Sequence, residues 1–159
     1  MGHLKVVIRE QEGRARYTLA GDVDEAISQE SFPATDLNEV ILDLSGIMSF
    51  NSCGLREWIR WIQIFSSHHK VYFENCSVPT IDQMNMMPQT MGKGTVLSFY
   101  APYYCETCGE VNQLVLMDRY AEMLRQKKAP DFSCETCGDV LCFDALAASY
   151  FLFADSRAG

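Results

Sequence analysis

Long apolar runs are missing from this chain. None reaches the ~18 residues a membrane-spanning helix needs, so no transmembrane helix is expected. The N-terminus, MGHLKVVIRE, has no apolar stretch of the kind a secretory signal carries. Met1-Gly2 opens like an N-myristoylation motif, but Val6 stands where that motif wants Ser or Thr. An excess of positive charge is lacking too. The net charge is −8, which argues against nucleic acid or an anionic membrane surface as the main partner. There are 3 histidines. Two are adjacent, and consecutive side chains rarely converge on one ion, so His68-His69-Lys70 reads as a solvated turn. No Ser-His-Asp set, no paired carboxylates and no phosphate-cradling glycine loop are visible. Gly92-Lys93-Gly94 is too short to be such a loop. The expectation is a soluble, cytoplasmic, non-enzymatic protein without direct membrane insertion. In that compartment 7 cysteines are metal ligands or buried thiols rather than disulfides.

What is present is a substantial apolar fraction, 48% of 159 residues. That is enough to bury a core in one domain of ordinary size, or in one domain with a small appendage. Leu4–Ile8 and Arg14–Leu19 alternate around a turn at Glu12-Gly13 and read as a hairpin. Val40–Leu44 reads as a buried strand whose Asp43 faces the turn that follows. Asn51-Ser52-Cys53-Gly54 then opens an amphipathic helix. Its positions Leu55, Trp58, Ile59, Ile62, Phe65 and Ser66 fall in one arc at about 100° per residue. Trp61 at the margin and Ile64 on the polar side have two readings. They pack beneath another part of the chain, or they form part of a partner surface. Val71–Phe73 is a strand ending at Cys76, a buried thiol. Ser77 caps a short helix, Ile81–Met87, with Pro79 in its first turn. Met84, Met86, Met87 and Met91 either fill core or make a pliable recognition surface. Thr95–Phe99 is a further strand. Strands alternating with helices after Glu39 imply a mainly parallel sheet with at least one face covered, the first hairpin adding an antiparallel edge.

The pentapeptide Cys-Glu-Thr-Cys-Gly occurs twice, at 105–109 and 134–138. Two Cys-x-x-Cys pairs are what a tetrahedral zinc site needs, and the glycine after each pair permits a tight knuckle. Cys105, Cys108, Cys134 and Cys137 are therefore the expected ligands of a structural Zn2+. With all four positions filled by sulfur, no coordination site is left open for catalysis. A redox dithiol normally uses one such motif, not two matched knuckles. The strand Gln113–Met117 and an excursion over Tyr120–Gln126 lie between the knuckles. Cys142 reads as a packing residue, and Phe143–Phe153 as a closing helix that packs back on the sheet or the zinc module.

Three segments in order resemble the STAS fold of bacterial anti-sigma-factor antagonists. They are Leu19-Ala20-Gly21-Asp22-Val23-Asp24, Val40-Ile41-Leu42-Asp43-Leu44-Ser45 and Phe50-Asn51-Ser52-Cys53-Gly54-Leu55. The resemblance covers residues 4 to 100. It implies an α/β fold with a STAS-like mixed sheet and helices mainly on one face, to which a C-terminal zinc ribbon is added. The expected divisions are 1–101 for the STAS-like domain, 102–143 for the ribbon and 144–159 for a C-terminal helix and tail. In that family the serine at the position of Ser52 is phosphorylated by a partner kinase that is also the anti-sigma factor. Here Asn51 replaces the family's Asp and Cys53 its second hydroxyl residue. Ser52 is thus either a phosphoacceptor or a plain helix cap. The partner-binding surface implied is Asn51, Ser52, Cys53, Gly54, Arg56, Trp61 and Ile64. The expected partner is an anti-sigma factor, a serine kinase or a similar signalling protein. A STAS subunit of a membrane lipid-transport ATPase is the alternative. A third reading is a zinc-stabilised interaction protein that forms a homodimer.

Overall fold

The computed structural model describes residues 3–155. Met1-Gly2 and residues 156–159 of the expected tail lie outside the described residues. The chain begins with a hairpin, β1 (Lys5–Gln11) and β2 (Arg14–Val23), turning at Glu12-Gly13. β3 (Glu39–Phe50), helix α1 (Ser52–His68), β4 (Lys70–Glu74), helix α2 (Val78–Met86) and a two-residue β5 (Thr95–Val96) follow. These strands form one sheet in the order β1-β2-β3-β4-β5. β1 is antiparallel to β2, and every later pairing is parallel. The expected architecture, a mixed sheet with an antiparallel edge, is the one observed.

Alternation decides which face the helices cover. Ala15, Tyr17 and Leu19 of β2, Val40, Leu42 and Leu44 of β3, and Val71 and Phe73 of β4 are buried. Trp58, Ile62 and Phe65 of α1 pack into the same core. The residues between them point to the other face. There Arg16 bridges Asp43 at 3.1 Å and also Glu74. Asp43 therefore belongs to an ion network on the open face. No turn follows it: its Oδ1 accepts the amide of Ser45, inside the same strand, at 3.0 Å. β3 also runs further than Val40–Leu44. Its register against β2 shifts between Thr18 and Ala20 and again between Gly21 and Asp22. Such bulges break the period-two pattern, which is why residues 45–50 read as a turn.

Beyond β5 the chain leaves the first sheet and builds a second. β6 (Ser98–Cys105) pairs antiparallel with β7 (Gly109–Leu116) and with the short β8 (Cys142–Phe143). Helix α3 (Met117–Arg125) lies between β7 and the second knuckle. The division expected at 101/102 falls inside β6. Phe99, Ala101 and Tyr103 of β6 are buried in one core cluster with Leu42, Phe73 and Ile81. A bridge from Cys76 to Phe99 joins the end of β4 to β6, with Tyr100 N–H donating to Cys76 O at 2.8 Å. The second sheet is thus continuous with the first in packing. Cys76 is fully buried, as expected, and burial pushes its thiol pKa well up.

The closing helix is shorter than the Phe143–Phe153 pattern implies. Helix α4 covers only Ala147–Tyr150, and a 3-10 turn, Leu152–Asp155, follows. Tyr150, Phe151 and Phe153 surround Phe99, with ring centroids 6.4, 6.2 and 4.8 Å away. These aromatics are buried from a one-turn helix and a 3-10 turn, so their spacing reads as one helix where two short turns stand. Cys142 is exposed rather than packed. No helix among the described residues is long and apolar enough to cross a membrane.

Candidate functional site

Two places concentrate chemistry-bearing residues. The first is the junction of β3 with α1. Asn51 is extended (φ −108°, ψ 175°), and its Oδ1 accepts the Gly54 amide at 2.8 Å, which makes it the helix N-cap. Its Nδ2 donates to Glu25 Oε1 at 2.7 Å. The Glu25 carboxyl is held below the ordinary range by its own amide and by the Asn51 amide. Gly54 is buried where α1 crosses the end of β2. A Cβ there would sit 2.0 Å from Val23 O, so only glycine fits. Ser52 is the first residue of the helix and is exposed, as are Cys53 and Arg56. Since Asn51 does the capping, the Ser52 hydroxyl is not used for it.

The rest of the expected partner surface divides. Ile64 is 58% exposed on α1. Trp61 is buried and unavailable to a partner. It stacks on Phe32 (centroids 4.0 Å apart, planes at 12°) and on Phe65 at 4.7 Å. The segment that covers it is the loop around Phe32, tied to α1 by Gln29 Nε2 donating to Glu57 O at 3.2 Å. The methionines divide too. Met84 and Met91 are buried, whereas Met86 and Met87 are exposed. Ser77 is the N-cap of α2, but its hydroxyl pairs with Thr80 Oγ1 at 2.8 Å instead of a backbone amide.

The second place is the four-cysteine cluster. The first knuckle is the turn joining β6 to β7, and the second is the turn enclosed by an antiparallel bridge between Ser133 and Val140. The sulfurs of Cys105, Cys108, Cys134 and Cys137 all lie within 4.8 Å of one another. Cys105 Sγ is 3.4 Å from Cys137 Sγ, and Cys134 Sγ is 3.9 Å from Cys108 Sγ. A tetrahedron with metal–sulfur bonds of about 2.3 Å has edges of about 3.8 Å, so the four thiols could hold one metal ion. The knuckle glycines supply the turn, with φ of 94° at Gly109 and 83° at Gly138. Cys108 N–H points at Cys105 Sγ, 3.4 Å away. The backbone amides of Cys137 and Thr136 draw the Cys134 thiol down to about 7. Thr107 Oγ1 donates to Asp139 Oδ2 at 2.6 Å and so ties one knuckle to the other. All seven cysteines are free thiols. His68 and His69 join no such cluster among the described residues. His68 ends α1 and His69 is its C-cap.

No protein-family model and no curated protein matches this chain. Beside these two places the structure has one feature that periodicity cannot reveal. Residues of β3, α2 and the segment around α4 line a common groove that opens beside the junction. They lie up to about a hundred positions apart in the chain, and each is unremarkable in its own segment.

Proposed function

We propose that this chain is a non-enzymatic, STAS-like regulatory module that binds a cytoplasmic signalling protein through the β3–α1 junction. Phosphorylation of Ser52 would set the affinity. The observation that carries the reading is the division of labour at the helix start. Asn51 satisfies the cap, which leaves an exposed Ser52 hydroxyl at the positive end of the α1 dipole. A phosphate there adds a charge of about −1.5 to −2. It would sit beside the Glu25–Asn51 pair and one turn before Arg56, which forms no ion pair among the described residues. Such a charge repels an acidic partner patch and recruits a basic one. The partner class that fits is an anti-sigma factor or serine kinase. Zn2+ is the ion proposed for the four-cysteine cluster, in a structural role.

The test is capture of the native protein's partner, followed by titration with Ser52→Asp, Ser52→Ala and Arg56→Glu variants. A change of roughly tenfold in partner affinity for Ser52→Asp, with Ser52→Ala near the parent, is the expected result. Equal binding by all three, with no phosphate added at Ser52 by candidate kinases and ATP, removes the switch. Recovery of a membrane ATPase as the captured partner moves the reading to a transport subunit. Metal analysis of the purified chain should give one zinc per molecule.

A further inference from the structure

The groove beside the junction has a volume of about 700 Å3, within the ~300–1,000 Å3 typical of ligand sites. Met48 and Phe50 at the end of β3, Asp82, Gln83 and Met86 of α2, and Leu146 before α4 are among the residues that line it. Met48, Met86 and Leu146 are 71%, 68% and 76% exposed. Three large apolar side chains brought together from three elements make a patch, not a scatter of single exposed residues. Two are methionines, whose unbranched thioethers reshape around different apolar surfaces.

The polar groups of the groove narrow the choice of occupant. Asp82 is the one charged residue that lines it, and no lysine or arginine does. Neighbouring Gln83 holds a buried Oε1 without a hydrogen-bond partner. Asp82 is the acceptor an occupant can reach, since burial closes off Gln83 Oε1, and desolvation raises the Asp82 pKa. What is missing is a donor that carries positive charge. A second copy of this chain would bring the same acidic groove and a net charge of −8, so like-charge repulsion opposes it. An anionic membrane surface is opposed for the same reason. We infer that the groove receives a basic amphipathic helix of a partner protein. Its apolar face would lie on Met48, Met86 and Leu146, with a lysine or arginine set at Asp82. This deepens the reading of the molecule as a protein-binding module and does not require Ser52 to be modified.

The probe is a fluorescein-labelled peptide of about four helical turns with leucines at i, i+3, i+4 and i+7 spacing and lysines elsewhere. Two controls carry glutamate for lysine, or the same residues in scrambled order. Anisotropy against the full chain at about 0.15 M salt should show saturable one-to-one binding of the basic amphipathic peptide. Leu146→Gln and Met86→Gln, which remove apolar contact without adding charge, should each weaken it by roughly tenfold. Asp82→Lys should weaken it similarly while leaving the glutamate peptide no worse bound. Val7→Glu, on β1 and outside the groove, should change nothing. Circular dichroism checks that each variant keeps its fold. Absence of saturable binding, equal binding of the scrambled peptide, or indifference to the groove variants overturns the inference. So does a concentration-dependent dimer that Leu146→Gln abolishes, which would make a second copy the occupant. These results leave the Ser52 titration untouched, and a flat Ser52 titration leaves the groove measurement standing.

Discussion

The Asn51 side chain accepts the Gly54 amide through its carbonyl oxygen and donates to Glu25 through its amide nitrogen. An aspartate at this position would keep the cap, lose the donor and set a second carboxylate against Glu25. That gives a physical reason for asparagine rather than aspartate at this position. Asn51→Ala should cost about 1 kcal/mol of stability through loss of the cap, read from urea unfolding. It should also raise the Glu25 pKa, read from carboxyl NMR titration. The sign follows from the direction of the shift. A folded-state pKa below the unfolded one contributes stability above the unfolded value, and that stability is lost as pH falls through the folded pKa. The parent should therefore lose more stability than Asn51→Ala on going from neutral pH to pH below the Glu25 value. A Glu25 resonance that titrates identically in both proteins would refute the link. Asn51 was legible in the sequence as a residue that opens a helix. Its second bond was not, because Glu25 lies 26 positions away and no local pattern reports such a pair.

Among the elements, α2 has the widest reach. It packs under β3 on one side and holds the C-terminal segment on the other. Asn85 does the holding. Its Nδ2 donates to Tyr150 O at 2.8 Å, and its Oδ1 accepts Phe153 N–H at 2.7 Å. Asn85→Ala strands two backbone groups beside buried Tyr150 and Phe153, at a cost of about 2 kcal/mol. Hydrogen exchange should show the Phe153 amide losing protection while amides in the middle of β3 keep theirs. Equal loss at both places would mean that the segment is not held locally. α1 was readable because its apolar arc is continuous and strong. The C-terminal segment reads in sequence as one long helix because its aromatics recur at helical intervals, while they serve Phe99 from a one-turn helix and a 3-10 turn. β3 was under-read for the opposite reason, since two register shifts hide the alternation of residues 45–50. Trp61 sat at the margin of the wheel, and only the loop carrying Phe32 decides that it is covered.

At the scale of the whole molecule, the decisive feature is that one core serves both sheets. The repeated knuckle announced its four sulfurs from spacing alone, whereas the sharing of β6 could not be read that way. A strand that starts in one sheet's packing and ends in a cysteine knuckle looks, in sequence, like a boundary. Phe99, Ala101 and Tyr103 contribute to the common core, and Cys105 closes the same strand. Tyr103 O–H also donates to Pro130 O at 2.6 Å, which ties β6 to the chain leading into the second knuckle. Loss of order at the cysteines would therefore reach Phe99 along a single strand, and Phe99 sits among Tyr150, Phe151 and Phe153. Binding energy for a structural ion is folding energy when the site does not exist in the unfolded chain. Removal of the ion with a strong chelator should then lower the melting temperature by on the order of 10 °C. It should do so as one cooperative transition in calorimetry, with Trp58 and Trp61 fluorescence changing in step with far-UV dichroism. Cys134→Ser should reproduce the effect without chelator. If the tryptophan signal keeps its original midpoint while the dichroism splits into two steps, the two sheets fold separately and the shared core does not couple them.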